Sequence, residues 1–303
     1  MPVTSPYASR LARIPVERHE VEVLGGTTAY WAYGPDDAGT TIVAVHGFRG
    51  EHHGLEPVVA HLPGVRVVMP DLPGFGETAP IPARTHDLAL YVEWLRAFAA
   101  AVAPGADILG HSFGSIVVAA AVADGLETPR VVLVNPIGAP ALEGPRGILT
   151  RLAVFYYWAG ARLPRRLGEA VLRSRVIVRV MSEFMAKTRD RELRAWIHDQ
   201  HDRYFSQFAD SRTLLDAFRA SVSHTVTEYA DSFSGRTLLI AGDRDDITPL
   251  SEQLALAHRL EDAELRVVPN VGHLVHYEAV EYAAEELIAF LRDESRNEGE
   301  RSA

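Results

Sequence analysis

Four short runs, apolar almost without interruption, set the narrowest limit on this chain. TIVAVHG (41–47), VRVVMPD (65–71), DILGHS (107–112) and VVLVNPI (131–137) lack the polar–apolar alternation of a strand with one wet face. Runs of this kind suit strands covered on both sides. Helical patterns separate them. THDLALYVEWLRAFAAAVA (85–103) carries apolar residues at helical spacing, and SFGSIVVAAAVADG (112–125) reads as a helix of small residues ended by Gly125. Strand, helix, strand in this order predicts right-handed crossovers and an α/β domain built on a mostly parallel central sheet flanked by helices.

The rhythm stops after Pro136. From about Gly138 to Ala230 no strand-like run stands out, helical segments dominate, and aromatics cluster: Phe155, Tyr156, Tyr157, Trp158, then Phe184, Trp196, Tyr204, Phe205 and Phe208. At Thr237 the alternation returns with TLLIAG, a helix from about Pro249, the strand LRVVPN (265–270) and a last helix from about His276. The expected organisation is a core in two parts, 1–137 and 231–292, interrupted by an all-helical cap at 138–230. The charged end, 293–303, lacks apolar anchors and is expected to be disordered. Charge follows the same division. The cap carries 15 Lys and Arg against 10 Asp and Glu, whereas the remainder carries 15 against 30. Solvated helix faces account for most of that bias. A basic cap also allows a substrate with an anionic part.

The overall balance narrows the function. A formal net charge of −10 argues against nucleic acid as a partner, because phosphate binding wants a basic field. With no cysteine there is no disulfide, thiolate zinc site or thiol nucleophile. The start, MPVTSPYASRLARIPVERHEVEV, has no apolar stretch of signal-peptide length, and no window approaches the roughly 20 apolar residues of a membrane span. The expectation is a cytoplasmic protein with no membrane span.

The motif with most chemical content is GHSFG (110–114), which follows the apolar strand ADIL and opens the helix SIVVAAAV. A serine on so tight a strand-to-helix turn has a strained backbone and an exposed hydroxyl, and the glycines at 110 and 114 leave room for the turn to pack. The helix N-terminus presents free N–H groups where negative charge would develop. Ser112 is the candidate nucleophile. A serine hydroxyl needs a base within reach. His111 is adjacent but would point away, and His276 reads as a residue of the last helix. His273, in PNVGHLVHYE, follows the last strand and a glycine, which puts it on the C-terminal sheet edge that carries Ser112 and where open α/β sheets bind ligands. An acid should orient that histidine, and AGDRDDITP (241–249) offers Asp243, Asp245 and Asp246.

Taken together, these segments resemble the α/β-hydrolase fold of serine esterases and carboxylesterases, over nearly all of residues 20–292. VHGF (45–48) is similar to the oxyanion loop of that family. DLPGFGET (71–78) is similar to its D-x-x-G-x-G-x-S segment, with Thr78 in the place of the serine. The order Ser, Asp, His is also the one this fold uses. The resemblance implies an acid three residues after the strand-ending glycine. With Gly242 and Pro249 fixing the register, that is Asp245, leaving Asp243 to the turn and Asp246 to solvent. It further implies an oxyanion hole made by the backbone N–H groups of Phe48 and Phe113, and no cofactor. The Phe48 ring would line the acyl pocket or pack in the core. Thr248 reads as a helix N-cap with Pro249 as the first helical residue.

Other readings have weaker support. His46, Glu51, His52 and His53 suggest a metal, but the adjacent pair should diverge on a regular element, and no H-E-x-x-H spacing occurs. FYYW (155–158) suits core and pocket lining better than a membrane-surface element. A serine nucleophile argues against dehalogenases and epoxide hydrolases, which place Asp there. C–C hydrolases of the meta-cleavage type, lactonases and aminopeptidases share the Ser–Asp–His set, and a catalytically dead ligand-binding protein is the non-enzyme alternative. The expectation is an esterase-type serine hydrolase acting on a small to medium ester with an apolar or aromatic part. The oligomeric state is open; a homodimer is compatible with such a cap.

Overall fold

The computed structural model describes residues 3–140 and 147–293. The expected disorder of 293–303 falls, after Asp293, outside the described residues. Eight strands form one sheet: β1 (Val16–Val23), β2 (Gly26–Tyr33), β3 (Thr41–Val45), β4 (Arg66–Pro70), β5 (Asp107–His111), β6 (Arg130–Val134), β7 (Arg236–Gly242) and β8 (Ala263–Val268). Their order is β1-β2-β4-β3-β5-β6-β7-β8. The pairs from β4 through to β8 are parallel, and β1 and β2 are antiparallel additions at one edge.

The apolar runs become doubly covered strands because successive side chains point to opposite faces. Ile108 of β5 and Val131 of β6 face one core with the helices Leu88–Val102 and Phe113–Ala123. Leu109 and Val132, one residue on, face a second core with the helices Glu56–Val59 and Val280–Arg292. Every residue of β5 is buried. The edge hairpin was not anticipated, although its pattern shows it: VERHEVEV leaves side chains alternately wet, and Leu24 and Gly25 both take positive φ, 52° and 76°. Such a turn matches the right-handed twist of paired strands.

Between β6 and β7 the described residues form no sheet strand; the regular elements are the helices Gly147–Arg162, Arg165–Leu172, Arg175–Met185, Arg191–Tyr204, Ser211–Ser223 and a short 3₁₀ segment, Val226–Ser232, with one isolated bridge from Phe208 to Phe75. The α-helices fall within 138–230, the segment expected from the sequence to form a cap. It is fastened to the core beside the site. Gly76 donates its N–H to Gln207 O, Ala209 donates to Gly74 O, and Lys187 Nζ pairs with Asp246 at 2.6 Å. Met185, Ala186, Trp196 and Ile197 of the cap bury themselves against Leu274 and Tyr277 of the core. Among the described residues no helix is long and apolar enough to cross a membrane.

Candidate active site

β5 delivers His111 to the C-terminal edge of the sheet, and the helix Phe113–Ala123 begins one residue beyond Ser112. Ser112 alone must make the turn, at φ 53° and ψ −117°. A residue with a Cβ holds that conformation at a cost of roughly 1–3 kcal/mol, which the surrounding packing must impose. The flanking glycines show how close the packing is. A Cβ on Gly114 would lie 2.3 Å from Val45 O, and one on Gly110 would lie 2.6 Å from Gly114 O.

The three residues expected to act together are in contact. Ser112 Oγ lies 2.8 Å from His273 Nε2, and His273 Nδ1 lies 2.7 Å from Asp245 Oδ2. Asp245 and His273 are 4% and 6% exposed, so water competes little for either. Asp243 accepts the Asn270 N–H as a turn residue, and the exposed Asp246 pairs with Lys187. Neither reaches the histidine.

Asp245 is held by more than His273. Its Oδ1 accepts the N–H groups of Ile247 (2.7 Å) and Thr248 (3.0 Å). Its Oδ2 accepts the Thr248 hydroxyl (2.5 Å) and the Asn135 amide (2.9 Å). Burial by itself would raise this carboxyl, but the charge and hydrogen bond of His273, with the bonds from Thr248, outweigh it and hold it down at about 2. Thr248 therefore does not cap the next helix as its sequence context suggests. Pro249 is the N-cap and Leu250 the first helical residue, because the threonine hydroxyl is drawn to the ionised carboxylate instead. Asn135 escaped the sequence reading. It ends the run VVLVN at φ 46°, a conformation asparagine tolerates better than most residues, and that was the available signal.

Phe48 and Phe113, expected to offer backbone N–H groups, both line the cavity beside Ser112. Among the described residues no backbone hydrogen bond engages either N–H. The Phe48 ring borders the cavity and packs edge-on against Phe75 and Tyr157. His46 braces this loop. Its Nδ1 meets Gly47 O at 2.8 Å and its Nε2 accepts the Leu72 N–H at 2.9 Å, while burial lowers its pKa. It is thus a neutral strut between the two Gly-containing loops. In the second loop the Thr78 hydroxyl accepts the Ala29 N–H, and Asp71 accepts the N–H groups of His52 and Glu77.

His111 turns away from Ser112, its ring 4.1 Å from that of His276, and burial first of all pushes it down to about 3. His52 and His53 do not diverge as expected. On the 3₁₀ turn His52–Gly54 both direct Nδ1 at Glu51 Oε2, at 3.2 and 2.7 Å. The donor atoms of Glu51, His52 and His53 lie within 4.8 Å of one another, yet His52 Nδ1 is also engaged by Asp71 Oδ1 at 2.9 Å. That is a self-satisfied hydrogen-bond network.

The cavity above Ser112 has a volume of about 230 Å³ and is walled by core and cap together, with Met181, Met185, Phe205 and Phe218 supplying apolar surface. The arginine on its wall is Arg49, from the core. The cap arginines nearby are engaged elsewhere, Arg179 with Asp202, Arg194 with Glu183 and Arg173 with cap carbonyls, so the anionic substrate part that a basic cap would allow gains no support from them. Nor do all the cap aromatics line the site: Phe155, Trp158 and Phe184 are exposed. Chemically, the arrangement can deprotonate a hydroxyl at one point and accept negative charge at a neighbouring one, inside a largely apolar chamber.

The sequence model described as "Alpha/beta hydrolase family" matches residues 42–285. The chain is 29% identical, over 89% of its length and 68% of the relative's, to the dihydrolipoyllysine-residue acetyltransferase component of an acetoin cleaving system from Pseudomonas putida. It is 25% identical to a proline iminopeptidase of Pestalotiopsis fici, over 85% of this chain and 93% of that one. Among solved structures it is similar to an esterase from Exiguobacterium antarcticum, with a TM-score of 0.75, 16% identity, and coverage of 91% of this chain and all (100%) of the other.

Proposed function

The chain belongs to the alpha/beta hydrolase family, and from that premise we propose that it is a serine hydrolase cleaving carboxylic esters through an acyl-enzyme, with Ser112, His273 and Asp245 as its catalytic triad. The observation that carries the reading is the unbroken line Ser112 Oγ, His273 Nε2, His273 Nδ1, Asp245 Oδ2, with contacts of 2.8 and 2.7 Å, opening on an apolar cavity.

In this reading Ser112 Oγ attacks the ester carbonyl as His273 Nε2 takes its proton. Asp245 accepts the Nδ1–H, fixes the tautomer and stabilises the imidazolium. The Phe48 and Phe113 N–H groups receive the oxyanion, each worth roughly 3 kcal/mol of barrier in sites of this kind. His273 then protonates the leaving alcohol, and water, deprotonated by the same nitrogen, releases the acid. The cap between about 138 and 230 forms the lid of the chamber and sets which apolar group fits. An aminopeptidase would need a free anion for the substrate ammonium. The carboxylate on the cavity wall, Glu51, is spent on the N–H and Nδ1 of His53. That favours a neutral ester.

Initial rates on p-nitrophenyl esters of graded acyl length, wild type beside Ser112→Ala, test the reading. Hydrolysis that disappears in the variant, with one optimal chain length, is the expected result. A wild type inert on every ester would remove the ester assignment, and an active Ser112→Ala would remove the serine.

A further inference from the structure

We propose that the cap carries a hydrogen-bond-accepting subsite, His201 Nε2, which selects ligands bearing a hydroxyl or N–H donor on an otherwise apolar body. If the proposed esterase reading holds, the substrate class narrows to esters with such a donor. The subsite itself does not depend on that reading.

Three buried side chains, Ser182, His198 and His201, share a chain of protons. Ser182 sits between two imidazoles, its Oγ 2.5 Å from His198 Nδ1 and 2.7 Å from His201 Nδ1. Its hydroxyl has one proton, so it donates to one ring and accepts from the other. The order is set at the far end. Glu183 Oε1 stands 3.0 Å from His198 Nε2, off the line of a good hydrogen bond but close enough for its charge to favour a proton on that nitrogen. The opposite tautomer would set a lone pair against a carboxylate. His198 thus keeps its proton on Nε2, Nδ1 accepts from Ser182, and Ser182 Oγ accepts the Nδ1–H of His201. His201 is neutral: burial first, then His198, Arg179 and Arg49, push it down to about 3. Its Nε2 is left as a bare lone pair.

That nitrogen has no hydrogen-bond partner among the described residues, and the His201 ring lines the cavity that holds Ser112. The polar groups around His201 are Ser182 and His198 in the cap, Tyr277 and His276 of the core, and Arg49 and Arg179, whose charges oppose protonation. A buried acceptor facing an apolar ligand goes unsatisfied; a donor placed opposite it restores the bond. The relay from Glu183 fixes which kind of group the wall accepts.

The test is binding, so it does not require turnover. The affinities of 4-ethylphenol and ethylbenzene are measured by calorimetry on wild type, His201→Phe and Ser182→Ala, and the tautomer of His201 is read from long-range ¹H–¹⁵N correlation spectra. The expected result is an Nδ1–H, Nε2-bare His201 whose Nε2 resonance moves when the phenol binds. The phenol-over-hydrocarbon preference should fall about tenfold in His201→Phe, the size of one lost hydrogen bond. Ser182→Ala, which frees the tautomer, should lose part of it. An Nε2–H tautomer in wild type, or a preference unchanged in His201→Phe, overturns the proposal. Failure of the esterase reading would show separately, as ester turnover absent or insensitive to Ser112→Ala.

Discussion

Asn135 Nδ2 donates to Asp245 Oδ2 at 2.9 Å, the oxygen that also faces His273 Nδ1. The first residue beyond β6 thereby helps set the position of an acid borne on the loop after β7. The amide touches no reacting atom and acts through the carboxylate it orients. Because Asn135 holds φ 46°, Asn135→Gly removes the amide without backbone strain. We expect kcat to fall about tenfold, equivalent to about 1.4 kcal/mol of barrier, with KM within about twofold. An unchanged kcat would show that the other donors to Asp245 suffice.

The depressed carboxyl of Asp245 has a consequence for acid stability. Folding lowers it from 3.8 to about 2, so the native state favours the ionised form. The stabilisation is complete above the ordinary carboxylate range and is lost as pH falls from about 4 through about 2, amounting to ~2 kcal/mol. Asp245→Asn lacks this contribution at any pH. Urea unfolding at pH 6 and pH 3 should show the wild-type advantage over the variant shrinking in acid, whereas a constant gap would contradict the assignment. The same variant should lose on the order of 10⁴-fold in kcat, through the wrong histidine tautomer.

Ser112 stores strain that can be released. At φ 53° and ψ −117° a Cβ is unfavourable, while glycine is at ease. Both Ser112→Ala and Ser112→Gly remove the hydroxyl of the proposed nucleophile, but only the glycine, which lacks the Cβ, relieves the backbone. Ser112→Gly should be more stable than Ser112→Ala by roughly 1–3 kcal/mol in thermal or urea unfolding. Equal stabilities would mean that the elbow is not strained.

What could be read in the chain followed from local constraint. Ser112 announces itself because strand, glycine, serine, glycine and helix are contiguous, and the doubly buried strands because their apolar runs are. His273 follows from one loop at one sheet edge. Asp245 could be chosen among three aspartates only through a family resemblance, since which carboxylate turns inward depends on Thr248 and Asn135, the latter 110 residues away. The Ser182–His198–His201 relay lay beyond sequence reasoning for the same reason: two cap helices must pack before the three side chains form a unit. Thr248 and the His52–His53 pair went astray where a local rule met a buried carboxylate, Asp245 in one case and Glu51 in the other. The charge decided the geometry.

Arg49 joins the cap to the loop that carries Phe48. It is 1% exposed and has no carboxylate partner among the described residues. Its guanidinium donates instead to Phe205 O at 2.7 Å and Leu172 O at 3.0 Å, and stands 5.3 and 5.5 Å from the ring centres of Phe205 and Phe208. A buried charge satisfied by carbonyls of two cap segments is a fastening, and it begins one residue after Phe48, whose N–H is the proposed oxyanion donor. Arg49→Met retains much of the volume but leaves both carbonyls without that donor, at roughly 1–3 kcal/mol each. The variant should therefore unfold about 3 kcal/mol more easily, and limited proteolysis should begin within 163–210 while the sheet stays intact. Because the loop carrying Phe48 loses its anchor, kcat should fall as well. A variant as protease-resistant as wild type would show that the cap is held by its apolar contacts with Leu274 and Tyr277, and that Arg49 is incidental to it.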